Sequence, residues 1–145
     1  MFVFRFEAAL TARTNAEELR RKALAEAERA LAACREALRE SRRRRRLALL
    51  ELDAARRSGF RAVEIPLHLA YLGRLEEELH ECARALAAVE QKVHRCRREL
   101  LEAVKARRML EKLREKDLAA YEAGLAAAER RFLDEVAGRR AFERT

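Results

Sequence analysis

Leucines recur at sevens through the first third of the chain, at Leu10, Leu24, Leu31, Leu38 and Leu52. A small residue follows three positions after most of them: Ala27, Cys34, Ser41, Ala48 and Ala55. This spacing is that of an a/d seam, with large and small layers alternating along one helix face. Glu17 and Arg45 interrupt it, since both fall on the leucine position. The one strong break is SGFRAVEIP, residues 58–66, where Gly59 suits a helix end and Pro66 a helix start. A cleaner seam follows: Leu72, Leu75, Leu79, Cys82, Leu86, Val89, Val93, Cys96, Leu100 and Ala103. Its phase is expected to slip between Val104 and Leu113, as an inserted stutter would make it, and to resume at Leu118, Tyr121, Leu125, Ala128 and Phe132.

The pattern predicts an all-α protein with one coiled-coil domain over 1–145: a helix over 5–57, a connector over 58–66 and a helix over 67–140. At about 1.5 Å per residue the helices would span ~80 Å and ~110 Å. Narrow apolar stripes need a partner helix. A single short break between two long helices points to a long antiparallel two-helix coiled coil, a helical hairpin. Folding about residue 62 sets Leu10 opposite Arg114. The C-terminal helix is then the longer one and overhangs the first by several turns, with both termini towards one end.

Composition supports an elongated helical chain. Four glycines, one proline and no tryptophan leave little room for strands and hairpins, and charged residues make up 40%. The formal net charge of +8 and a pI near 10.1 predict affinity for acidic partners and some non-specific attraction to nucleic acid. Three cysteines, Cys34, Cys82 and Cys96, together with an N-terminus (MFVFRFEAAL) unlike a signal peptide, predict a reducing compartment. No apolar run approaches the ~18 residues that would span a membrane.

The arginine run Arg42–Arg46 could be read as a phosphate-binding patch. Consecutive helical residues point about 100° apart, however, so the five cover every face and form no single stripe. Arg45 on the seam weakens local packing, and Leu47, Leu49 and Leu50 lie off it. The register is therefore expected to slip here towards a Leu49/Leu52 phase. Three readings stay open: a solvated, loosely packed turn with snorkelling arginines, a docking surface for an acidic protein, or a nucleic-acid contact. The last lacks neighbouring aromatic stacking residues and any known reading motif.

The pairs His80/Cys82 and His94/Cys96 do not suit a metal. The two cysteines are 14 residues apart, about 21 Å along a helix, and residues i and i+2 face nearly opposite ways. Both cysteines sit on the seam, where Cys serves as a small hydrophobe. Carboxylates such as Glu76, Glu77 and Glu78 have no dry pocket to shift their pKa values. With no nucleophile–base set, phosphate loop or metal-ligand spacing, neither catalysis nor a cofactor nor a metal is expected.

Specific features sit near the two ends. The chain starts FVFRFEAALTAR, with Phe4-x-Phe6 leading into Leu10 and Arg13. The second helix opens AYLGRLEEEL. Arg108, Leu110, Glu111, Lys112, Leu113 and Lys116 form an RxxLExLxEK-type segment, with Tyr121 behind it and Leu133-Asp134-Glu135 near the end. In order and spacing these features, over nearly the whole chain, resemble the FliJ family, the coiled-coil component of the flagellar type III export apparatus. The arginine run is not part of that pattern, and the chain is unusually rich in Arg and Ala.

The resemblance implies an antiparallel coiled coil similar to the central stalk of rotary ATPases. It implies insertion of the paired terminal ends into the hexameric flagellar export ATPase, contact with the cytoplasmic domain of the export gate protein FlhA, and escort of export chaperones. The location implied is cytoplasmic, peripheral at the inner-membrane export apparatus through its partners, with no specific nucleic acid. On this reading the ATPase-facing residues are Phe4, Phe6, Arg13, Lys112, Arg114, Lys116, Tyr121, Phe132, Asp134 and Glu135. Phe6, Tyr121 and Phe132 could equally just fill the seam. The export-gate or chaperone-facing residues are Arg42, Arg43, Arg46, Leu49, Leu50, Phe60, Tyr71 and Leu72, which could equally pack the connector onto the helices. The equivalent stalk of a virulence secretion system, or a basic nucleic-acid-binding coiled coil, remain as other readings.

Overall fold

The heptad of the first third folds as one unbroken helix. A computed structural model describes residues 1–59 and 61–145, so Phe60 lies outside the described residues. Helix α1 spans Glu7–Ser58 and helix α2 spans Ile65–Glu143, with a short 3-10 turn at Ala62–Glu64 before α2. The two helices pack against each other as a helical hairpin, and α2 is the longer. No strand occurs among the described residues.

Local chemistry fixes the ends. Glu7 lies in the first turn of α1 and Arg56 and Arg57 in its last, each complementing the helix dipole. Ser58 donates from Oγ to the carbonyls of Ala54 and Ala55, at 3.0 and 3.3 Å. Gly59 follows with φ of 72°, the left-handed step that carries the chain off a helix and that a side chain would strain. Pro66 stands in the first turn of α2, where its missing N–H has no helical acceptor to lose.

The chain divides into two compact units, one of residues 20–100 and one of residues 1–19 with 101–145. In the first, ion pairs step in opposite directions along the helices: Arg20–Glu99 (2.9 Å), Arg97–Glu28 (3.6 Å), Arg45–Glu76 (3.3 Å) and Arg44–Glu78 (3.6 Å). That order is antiparallel. Its core joins Ala27, Leu31, Val93 and Cys96, packed by Ala23, Leu24, Leu86 and Val89. Burying a Leu or Val side chain contributes about 1.5–3 kcal/mol, so this seam is the main support of the pairing. Cys96 is buried and Cys82 half-buried, both on the seam.

In the second unit Arg114 faces Glu7 at 3.7 Å, within one turn of the expected Leu10 level. The antiparallel order holds here too, since Glu17 meets Arg107.

The slip expected at the arginine run does not occur. Around the arginine run the inward positions remain Leu38, Ser41, Arg45, Ala48 and Leu52, while Leu47, Leu49 and Leu50 are exposed. The small Ser41 and Ala48 leave room for the Arg45 stem, whose guanidinium reaches Glu76. A charge on the seam is therefore absorbed by snorkelling rather than by a change of register. In α2, Ala103, Arg107, Leu110, Asp117 and Tyr121 are half-buried at the earlier spacing, with Arg114 between them exposed and Val104, Glu111 and Leu113 also half-buried. Leu118, Leu125 and Phe132, expected on the seam, are exposed instead. Arg107 can hold a seam position because Glu17, also on the seam, is its partner.

Candidate partner-binding surfaces

At the terminal unit an aromatic strap closes the seam before α1 begins. Phe4 is buried and stacks edge-on to Phe6 at 5.9 Å between centroids. The guanidinium of Arg5 lies 5.3 Å from the Phe6 ring. The Met1 amino group donates to the Tyr121 hydroxyl at 2.9 Å, and Phe2 packs on the Tyr121 ring at 5.6 Å. Residues 1–6 thus cover α2 as far as Tyr121. Phe4 and Tyr121 hold this strap; Phe6 is exposed.

None of residues 122–145 is buried. The segment from 122 to the helix end at Glu143 is about six turns long. Leu118, Leu125 (54% exposed) and Phe132 (64% exposed) recur at sevens along it, and Leu133 is also exposed. An apolar stripe at heptad spacing without a partner helix is a candidate interface. Phe132 therefore does not fill the seam.

The charged candidates divide. Arg13, Lys112, Lys116 and Asp134 are exposed and have no ion-pair partner among the described residues. Arg114 is engaged with Glu7, and Glu135 with Arg139 at 2.7 Å.

Below the strap lies a polar lock that the heptad reading passed over. Arg107 donates from Nε to Glu17 and from Nη1 to Glu111, the latter at 2.6 Å. Glu17 is among the few buried charged residues. Its carboxylate, with Glu111 behind it, holds the Arg107 guanidinium above its ordinary pKa. The signal for it was present: both residues sit on the seams, with opposite charges, at matching levels of the hairpin.

Near the turn, Arg43 forms a two-pronged pair with Glu40, at 2.7 and 3.0 Å. That hydrogen-bonded pairing lowers the Glu40 pKa from its ordinary value and raises that of Arg43. Arg42 and Arg46 are exposed without a carboxylate partner among the described residues. Leu49 and Leu50 are exposed, as is Tyr71, with the Arg74 guanidinium 5.9 Å from its ring. Leu72 is half-buried on the seam. Phe60 lies outside the described residues. The arginines thus fan around the helix: Arg44 and Arg45 are tied across the hairpin, Arg43 along α1, and Arg42 and Arg46 reach solvent.

The sequence profile described as the flagellar FliJ protein matches residues 2–145. The chain belongs to the FliJ family. Neither a curated protein nor a solved structure gives a further match. FliJ membership makes the chain a component of the flagellar protein-export apparatus. The strap, the polar lock and the unpartnered stretch of α2 are therefore features of a FliJ coiled coil. No helix among the described residues is long and apolar enough to cross a membrane.

Proposed function

We propose that this chain acts as a non-enzymatic stalk in flagellar protein export, inserting its terminal unit into the hexameric export ATPase and coupling that ring to the export gate. The observation that carries the reading is the α2 segment beyond Tyr121, which displays Leu125 and Phe132, one and two heptads on from Leu118, with no covering helix among the described residues. A closed ring supplies an enclosing wall that such a segment lacks. Exposed Phe6, Arg13, Lys112, Lys116 and Asp134 would contact the wall. Phe4, Tyr121, Arg114 and Glu135 would hold the terminal unit in shape.

The second surface, Arg42, Arg43, Arg46, Leu49, Leu50, Tyr71 and Leu72, would dock the cytoplasmic domain of the gate protein FlhA or an export chaperone. Its pairing of solvated arginines with exposed leucines suits an acidic, partly apolar partner. The chain would then work in the cytoplasm, peripheral to the membrane.

Two double variants test the ATPase assignment. Leu125→Asp/Phe132→Asp should weaken ATPase binding at least about tenfold, as loss of an interface anchor does. Lys112→Glu/Lys116→Glu should weaken it less and mainly slow association. Neither should change helicity, because these side chains are already exposed. Unchanged binding by the first variant would sink the assignment.

A further inference from the structure

We propose that the turn of the hairpin binds the surface of an anionic lipid bilayer directly, in competition with the gate-facing contact proposed above for the side chains the two share, Arg42, Arg46, Leu50 and Tyr71. Several arginines near this turn are unpaired among the described residues. Residues 42–75 hold nine arginines against three carboxylates, Glu51, Asp53 and Glu64, and three of the nine, Arg43, Arg44 and Arg45, are paired with Glu40, Glu78 and Glu76 at its borders. Arg42, Arg46, Arg56, Arg57 and Arg61 have no carboxylate partner among the described residues. The same stretch displays large apolar side chains to solvent: Val63 (78% exposed), Leu67 (69%), Leu69, Ile65, Tyr71 and Leu50.

Their directions decide the kind of partner. At about 100° per residue, Leu67 and Tyr71 lie on one flank of the α2 seam and Ile65 and Leu69 on the other, while Leu50 points away from the seam of α1. A groove on one protein would cover one flank and leave the other wet. A lipid interface surrounds whatever enters it, and so covers both. Arginine stems can run along the acyl boundary and place their guanidiniums among anionic headgroups. Tyr71, with Arg74 against its ring, has the amphipathic form that interfaces favour.

The test is flotation with vesicles of phosphatidylcholine alone or with about one third phosphatidylglycerol, at about 150 mM salt. The full chain should partition at least about tenfold more strongly to the anionic vesicles. Leu67→Glu/Leu69→Glu should remove most of that binding, and Arg57→Gln/Arg61→Gln should lower it about tenfold. Helicity by circular dichroism should match the parent in both. ATPase binding should also be unchanged, which separates this surface from the terminal unit. Equal partition to both vesicle types, or anionic binding untouched by the leucine changes, would overturn the proposal. So would absence of vesicle binding alongside saturable binding to the isolated gate domain, which would give the turn to a protein.

Discussion

Replacing Ser41 with alanine should stabilise this protein. Ser41 is the most completely enclosed side chain among the described residues, at 0% exposure, and its Oγ has no hydrogen-bond partner among them. Burying a hydroxyl without a partner costs about 1–3 kcal/mol on mutational scales. Alanine is also the better helix former, by up to about 0.5 kcal/mol. Against these gains stands the small space that the lost oxygen leaves, under one methyl group in size and worth under ~1 kcal/mol. The net expectation is a gain of about 1–2 kcal/mol, or roughly 3–6 °C in melting temperature for a chain of this size. The assay is paired urea and thermal unfolding followed by circular dichroism, with Ala48→Ser as the reverse control one heptad on. Ala48 is also buried on the seam, so the control should lose stability. A Ser41→Ala variant less stable than the parent would show that the hydroxyl is satisfied in solution, and would refute the reasoning.

Three further outcomes follow from the same packing. Arg107→Leu removes the Arg107 ion pair from the buried Glu17 carboxylate and should lower the melting temperature by several degrees, whereas Glu17→Leu/Arg107→Leu should restore or exceed the parent value, because an apolar layer replaces an ion pair on both helices at once; thermal melts of the three proteins decide it. Leu31→Ala removes a side chain from the densest part of the seam and should cost about 2–4 kcal/mol in urea unfolding. The Arg43 hydrogen bond depresses the Glu40 pKa in the folded chain, so the pair's contribution is present above the ordinary value of 4.5 and is lost as pH falls below it. Carboxyl NMR titration should place Glu40 below a peptide reference, and Arg43→Gln should return it to that reference.

The leucine heptad of α1, the Gly59 break and the 3-4 spacing of α2 made the hairpin legible from the chain alone. Periodicity reports which face is apolar, and a long seam offers many repeats. Reading failed where a charged residue stood on the seam. Arg45 suggested a shift of register, yet it holds the seam because a long stem can bury its methylenes and send its charge to Glu76, as Arg107 does to Glu17. Those partners are far away in sequence, so helix-by-helix periodicity could not supply them; aligning the two helices about the turn could. The exposure of Leu118, Leu125 and Phe132 was missed for another reason. Heptad spacing shows that a stripe wants a partner, and it was followed past the level of Arg114 although the predicted overhang leaves no α1 there, since α1 begins at Glu7. Of the candidate surface residues, Arg42, Arg46, Leu49 and Leu50 were legible as off-seam positions. The strap that ties Met1 and Phe2 to Tyr121 was not, because it lies outside any helix and follows no period.

The most direct measurement is a titration of this chain into its cognate hexameric export ATPase at about 150 mM salt, following ATP hydrolysis and ring assembly together. The stalk account predicts saturation near one chain per ring, with stimulated hydrolysis that Leu125→Asp/Phe132→Asp abolishes. A helical, correctly folded chain that neither binds nor stimulates the ATPase would contradict it.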